Sequence, residues 1–313
     1  MLSGTVDDAM TTRFDPLSDL EPLRPWALTR DDRLEDARER MSAAAAHALP
    51  VVEDGEIVGA LTEVGISRYF ALEAQLGFPL AGIVDEVSPN DLMFEGSMLA
   101  YLTLGASALQ CIRRALEQTR TRKVSRVLDF ACGHGRVLRM LKAAFPEASL
   151  TVCDLDPDAV EFCAKTFGAR PVLSSHHISE VELEGEFDLI WSGSLLTHVH
   201  APAWAEALSM FDAHLAEPGA LVFTVHGPWA AEQFREGALT YGLSSTAIDH
   251  VIRHYDETGF GYADYEGQDG YGIAVCSREW AAKMVAAMPR LSQLSYEENA
   301  WGRMQDVITC TRT

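Results

Sequence analysis

From Val124 onward the chain alternates short apolar runs with stretches whose apolar positions recur at helical spacing. Runs at 125–130, 149–153, 171–174 and 186–191, with Gly219–Val225 as a fifth, predict strands; the segments 136–145, 157–167 and 202–216 predict helices. In the first of these helices Val137, Leu138, Leu141, Ala144 and Phe145 share one face, and Pro146 closes it. Strands alternating with helices imply an α/β fold with a parallel sheet. Upstream, residues 28–88 predict a smaller α/β unit. Arg33–Ala46 places Leu34, Ala37, Met41 and Ala45 on one helical face, and two β runs flank Asp54-Gly55, the signature of a hairpin. A second helix runs from about Glu63 to Leu76 and is capped by Gly77. Residues 1–27, with Pro16, Pro22 and Pro25, predict an irregular arm. Between the two units Asn90-Asp91 can cap a helix, and Met98, Leu99, Leu102, Leu109, Ile112 and Leu116 then follow at helical spacing.

With 313 residues the chain has room for two domains, expected at 1–88 and 89–313. A formal net charge of −21 argues against a nucleic-acid partner, because phosphates would be repelled. No apolar run approaches the length of a membrane span, and Met1–Asp19 lacks the apolar core of a signal peptide, so a cytoplasmic enzyme without membrane attachment is expected. The six cysteines are scattered, which suits a reducing compartment rather than a disulfide framework. His176, His177, His198, His200 and His226 do not fall at metal-ligating spacing, and no metal is expected.

The chemistry concentrates at Arg126-Val127-Leu128-Asp129-Phe130-Ala131-Cys132-Gly133-His134-Gly135-Arg136. An apolar run ends in an acid, and a tight glycine turn opens a helix. Glycine lets a ligand approach the backbone closely, and the helix start offers unpaired N–H groups. The dinucleotide fingerprint lacks its third glycine, since Arg139 stands where a small residue is needed. The acid ahead of the glycines suits a ligand with a positive charge. A second acid, Asp154, lies 19 residues beyond Gly135, close to the ~20-residue spacing of a ribose-binding carboxylate.

These residues resemble the class I S-adenosylmethionine-dependent methyltransferases: Asp129–Gly135 matches their first motif and Asp154 the acid of their second. The resemblance spans roughly residues 90–313. It implies a Rossmann-like sheet, mostly parallel, whose final strand at Asp306–Thr311 is antiparallel, and S-adenosyl-L-methionine as the cofactor. It assigns Asp129, Ala131, Cys132, Gly133, Gly135, Arg136, Asp154 and Leu155 to cofactor binding. The stretch Ser174–Ile178 falls where the family builds its adenine pocket, which points to His177. Phe187–His200 is similar to the fourth motif, placing Ser192 and Ser194 at the methionine end of the cofactor. The leading helix lies over the cofactor in that fold, which brings Tyr101 towards cofactor or substrate.

Ligands bind beyond the carboxyl ends of such strands. His226 follows the fifth strand and is the first candidate general base, since imidazole titrates near neutrality. His198 is a candidate base or substrate contact, with a structural histidine bonded to a backbone carbonyl as the alternative. Tyr265 and Tyr271 belong to a tyrosine- and glycine-rich insert suited to an organic acceptor; Trp301 and Gln305 fall at the start of the last strand. Ala48–Thr62 resembles one repeat of a CBS-type module, which is expected to act as a cap or as a homodimerisation unit. The expected activity is methyl transfer to a small molecule, peptide or sugar, as in natural-product tailoring, with oxygen favoured over nitrogen. The alternatives are a non-catalytic protein that binds adenosyl ligands and an NAD-dependent oxidoreductase.

Overall fold

The computed structural model describes residues 5–11 and 17–312. Its contacts divide the chain into two compact units, Met1–Ala106 and Ser107–Thr313.

The first unit contains α1 (Val6–Ala9), a 3-10 segment (Leu17–Trp26), α2 (Leu34–Ala44), β1 (Ala48–Glu53), β2 (Glu56–Thr62) and α3 (Glu63–Leu76). The expected hairpin is present, with Asp54 and Gly55 both at positive φ in its turn. The Thr62 hydroxyl accepts from the Gly65 N–H to start α3, and Gly77 ends it at φ 76°. Helix α2 stops at Ala44, short of the expected Ala46, because Ala45 turns left-handed and closes the helix. The described part of the arm is more ordered than its prolines suggest. Thr11 and Ala60 exchange both backbone hydrogen bonds at 2.9 Å, and Leu28 bridges to Pro50 and Val52. Single-residue bridges leave no periodic pattern in a sequence. Gly59 makes room for this pairing, since a Cβ there would lie 2.7 Å from the Thr11 carbonyl oxygen.

Helix α4 (Met98–Thr119) leads into the second unit, where residues 107–119 pack on its last strands: the Cys111 thiol donates to the Ala300 carbonyl, and Arg114 pairs with Glu297. Next come β3 (Arg126–Phe130), α5 (Leu138–Ala144), β4 (Ser149–Asp154), α6 (Pro157–Phe167), β5 (Arg170–Leu173), β6 (Phe187–Ser192), α7 (Ala201–His214) and β7 (Leu215–Val225). These strands lie within one or two residues of the predicted runs, except that β7 begins four residues early. Pro218-Gly219 hides that start in the sequence, yet Leu215 pairs with Phe187 and the register shifts between Phe187 and Leu189. An insert follows, made of α8 (Pro228–Arg235), α9 (Ser245–Thr258), β8 (Phe260–Tyr265) and β9 (Gln268–Cys276). The chain ends with α10 (Arg278–Ala286), β10 (Leu291–Trp301) and β11 (Gln305–Arg312).

The seven-stranded sheet has the order β10-β11-β7-β6-β3-β4-β5. Strands β7, β6, β3, β4 and β5 are mutually parallel, and β11 runs antiparallel to β7. This is the Rossmann-like methyltransferase sheet the motifs imply. β3 and β4 lie in the interior of the sheet, and their apolar residues Val127, Leu128, Val152 and Cys153 are fully buried. Trp204 and Phe211 of α7 cover one face, and Phe211 meets Phe130 edge-on with centroids 5.5 Å apart.

The insert has a core of its own, built from Ala231, Phe234, Leu243, Ile248, Val251, Ile273 and Val275. Three backbone hydrogen bonds join β9 to the mouth of the sheet: Gly272 N–H to the His198 carbonyl, Ala274 N–H to that of Thr197, and Cys276 N–H to that of His226.

Candidate active site

The cofactor loop follows from its sequence. Ala131, Gly133 and Gly135 all take positive φ, at 65°, 48° and 84°. At Gly135 a side chain is also excluded by space, since a Cβ would lie 2.5 Å from the Phe167 ring; at Gly133 it would meet nothing within 4 Å. The loop is therefore packed beneath and open above. The Ala131 and Cys132 N–H groups donate to the Cys153 carbonyl, which hangs the loop on the end of β4. Arg139 is fully buried, with its guanidinium 5.4 Å over the Phe167 ring and its Nε–H donated to the Gly135 carbonyl.

The two acids sit on either side of this loop. Asp154 Oδ2 accepts from the Gly133 N–H at 2.8 Å, and its Oδ1 from the Asp156 N–H at 3.0 Å. Asp129 is buried, and its Oδ2 has no hydrogen-bond partner. Burial, and then the charge of Asp154, lift the Asp129 carboxyl to about 8. The Ser192 hydroxyl is likewise buried without a partner. Leu155 and Leu173 follow or end neighbouring strands paired at Asp154 and Leu173, and both are exposed. A hydrogen bond to the Cys163 thiol, then burial, push the Cys132 thiol well up, so it stays protonated. Arg136 stands with its guanidinium carbon 5.8 Å from the Trp301 ring.

Two orphaned polar atoms, an open glycine loop and paired acids fit a nucleoside ligand carrying a cationic tail. The exposed leucines suit the face of a flat base. His177 is exposed on the turn after β5.

Ser194 is held at φ 63°. Its N–H donates to Thr224 Oγ1 at 2.8 Å, and its Oγ accepts from Gln305 Nε2 at 2.6 Å. The other end of the Gln305 amide accepts from Thr224 at 2.6 Å, so this side chain braces Ser194. Trp301 is buried edge-on against Trp191, with centroids 5.4 Å apart. Tyr101 belongs to the first unit, where its hydroxyl donates to Asp91 Oδ2 at 2.5 Å and its ring meets Phe94.

The candidate histidines and the insert tyrosines come together. The His198 ring stacks on Tyr271 (5.0 Å, 25°), lies 6.1 Å from Tyr265 and meets His226 edge-on at 6.4 Å. His198 Nδ1 is 2.8 Å from the Gly272 carbonyl, which requires its hydrogen on that nitrogen. His226 is buried, and its Nδ1 has no partner. Burial, then the charge of His198, hold His226 down to about 3, and burial lowers His198 as well. Both imidazoles are neutral at physiological pH.

Sequence reasoning missed Tyr241, whose ring stacks on His226 at 4.7 Å and 28°. A lone tyrosine in a Thr-Tyr-Gly turn gives no signal of its own. It also missed His250 and His254, one turn apart on α9 with ring centroids 4.3 Å apart. Among the described residues no group of three or more His, Cys, Asp or Glu could hold a metal ion, and no helix is long and apolar enough to cross a membrane.

The family model for a methyltransferase domain matches residues 127–219, and that for a CBS domain matches residues 6–72. A malonyl-[acyl-carrier protein] O-methyltransferase of Anoxybacillus flavithermus is 27% identical over 128 residues, which cover 41% of this chain and 48% of that protein. A ribosomal RNA small subunit methyltransferase C of Haemophilus influenzae is 36% identical over 69 residues, 21% of either chain. The chain thus spans about half or less of the length of these curated relatives. Among solved structures, an S-adenosylmethionine-dependent methyltransferase of Clostridium acetobutylicum is similar at 14% identity and a TM-score of 0.48, covering 66% of this chain and 91% of that one. An amino pentose methyltransferase of Micromonospora echinaspora, solved with S-adenosylmethionine, is similar at 18% identity and a TM-score of 0.44, covering 66% and 92%. The family model falls on the segment that carries the glycine loop, both acids and β6. The chain carries a methyltransferase domain over residues 127–219, preceded by a CBS domain over residues 6–72.

Proposed function

We propose that the second unit transfers a methyl group from S-adenosylmethionine to a small-molecule acceptor held beneath the β8–β9 insert. The observation that supports this most directly is the position of the aromatic insert, bonded through β9 to the loops that follow β6 and β7. The rings of the insert thereby stand at the strand ends where this fold places its chemistry. When bound, the cofactor supplies an electrophilic methyl group on a sulfonium. Asp154 would receive the ribose hydroxyls, Asp129 and Ser192 the polar groups of the methionine end, and Leu155, Leu173 and His177 the adenine. The half-buried ring of His198 and the buried ring of His226 keep water away from the reacting atoms and orient the acceptor. Neither imidazole is suited to removing a proton from an alcohol, because burial disfavours its charged form.

The reading is tested by calorimetric titration with S-adenosylmethionine, followed by mass spectrometry of metabolite extract incubated with protein and methyl-labelled cofactor. Tight binding and a labelled product of low mass are expected. Labelling of peptide or glycan alone would move the acceptor class. Unchanged affinity in both Asp129→Ala and Asp154→Ala would refute the assigned site. Tight binding with no labelled product would favour a protein that only holds the cofactor.

A further inference from the structure

Tyr241 combines three properties that a purely structural tyrosine does not need. Its backbone is left-handed at φ 48°, a conformation that costs a side-chain-bearing residue about 1–2 kcal/mol. Its hydroxyl is buried without a hydrogen-bond partner, and its ring is stacked on His226. Strain and an unmet polar group at one residue mark a functional position. The partner ring repeats the pattern, since His226 is buried with Nδ1 unmet. The Gly272 carbonyl accepts from His198 Nδ1 at 2.8 Å, and the Ala274 backbone lies near the His226 ring. The Gly272 carbonyl thus fixes the His198 tautomer and leaves its Nε2 a bare lone pair, while His226 Nδ1 has no partner. Tyr265 and Tyr271 complete the wall around His198. Among the described residues, no lysine or arginine stacks on or hydrogen-bonds any of these five rings.

We propose that this ring box takes the methyl acceptor as a neutral amine, whose N–H groups are received by His226 Nδ1 and Tyr241 Oη, with Tyr241 a specificity-determining residue. The proposal rests on the methyl-transfer reading and names its acceptor. A carboxylate entering the box would meet lone pairs and ring faces with no cation to balance it, and Asp154 is close enough to Tyr271 to oppose the ionisation of that hydroxyl. An alcohol must lose its proton as it attacks, and the nearby imidazole is a poor recipient; a sulfonium beside it would oppose protonation further. An amine attacks with its protons in place. Its lone pair forms the new N–C bond, and the C–S bond breaks with its electron pair left on sulfur. The methylammonium product then gives its extra proton to water at the exposed edge by Tyr271. Two lone-pair acceptors and stacked ring faces suit both the amine's N–H groups and the developing charge on nitrogen.

The test uses the full-length protein, trideuteromethyl S-adenosylmethionine and metabolite extract of the cells that make the protein, with the labelled atom assigned by NMR. Label on nitrogen is expected. Label on a hydroxyl or carboxyl oxygen would overturn the proposal while leaving methyl transfer intact, whereas no labelled product despite cofactor binding would overturn both. With the acceptor so found, Tyr241→Phe should raise KM about three- to tenfold, the worth of one hydrogen bond, with kcat and cofactor affinity nearly unchanged. The same variant should melt no lower than the wild type, because the hydroxyl has no protein partner to lose. An unchanged KM would remove Tyr241 from the site. A lowered melting temperature would make its hydroxyl structural and overturn its assignment.

Discussion

The Gly133 N–H donates to the Asp154 carboxylate at 2.8 Å. The glycine loop after β3 and the acid ending β4 are thus one unit, and the acid holds the loop in shape. Asp154→Asn keeps an oxygen for Gly133 but loses the charge and one acceptor. Hydrogen bonds to charged groups contribute about 1.5–3 kcal/mol, so the variant should bind S-adenosylmethionine roughly 10- to 100-fold more weakly. Calorimetry checks the affinity, and a thermal melt near the wild type checks that the loop survives.

Asp129 gives cofactor binding a pH dependence. Its carboxyl ordinarily titrates at 3.8, and in the fold it is lifted to about 8, so the ligand-free protein holds a proton there at neutral pH. Between these values the folded state binds a proton that the unfolded state has released, and stability falls as pH rises from about 4 through about 8. A cationic methionine amino group binds the ionised form, so binding expels the proton. Affinity should climb with pH towards about 8 and fall again above it, where the ligand's own amino group loses its proton. Calorimetry in buffers of different ionisation enthalpy should count close to one proton released at pH 7, and Asp129→Asn should release none.

Ala131 adopts φ 65° where a glycine carries no penalty. Relief of the left-handed strain is worth about 1 kcal/mol, less what glycine adds to the disorder of the unfolded chain. Ala131→Gly should therefore leave stability unchanged or raise it by up to ~1 kcal/mol in urea unfolding of the second unit, with cofactor affinity preserved. A loss of 1 kcal/mol or more would mean the methyl group packs in a way that outweighs the strain.

Gly227 is required by close approach. A Cβ there would sit 1.8 Å from Asp306 Oδ2 and 2.5 Å from the Tyr296 hydroxyl. Those two groups share a 2.6 Å hydrogen bond, and Asp306 also accepts from the Asn299 N–H. Gly227→Ala must separate this buried set and displace the residue after His226. A loss of about 2–4 kcal/mol is expected from overpacking and a broken buried hydrogen bond. Chemical denaturation measures it, and turnover should fall with it because His226 moves.

Much of the second unit was legible because the buried strands of a parallel sheet carry apolar runs and the loops after them favour glycine where φ is positive. Gly133 and Gly135 follow from that logic, and Asp129 and Asp154 from their spacing to those glycines. The helices of the insert were not legible, since α8 and α9 bury only five residues between them and read as polar segments. Trp301 and Gln305 illustrate a second limit: their positions were readable, but their partners, Trp191 and the Ser194–Thr224 pair, lie over 80 residues away in sequence. Strain at Tyr241 has no sequence signature, because any residue can be forced left-handed by what surrounds it.

Strand β9 supplies the N–H groups that stitch the insert to the sheet and the carbonyl that sets the His198 tautomer. None of the glycine-loop residues takes part in that stitching. Acceptor choice and donor grip are therefore mechanically separable: exchanging the segment from Leu239 to Tyr271 for another of matching length should retune which molecule is methylated while the nucleoside is held as before.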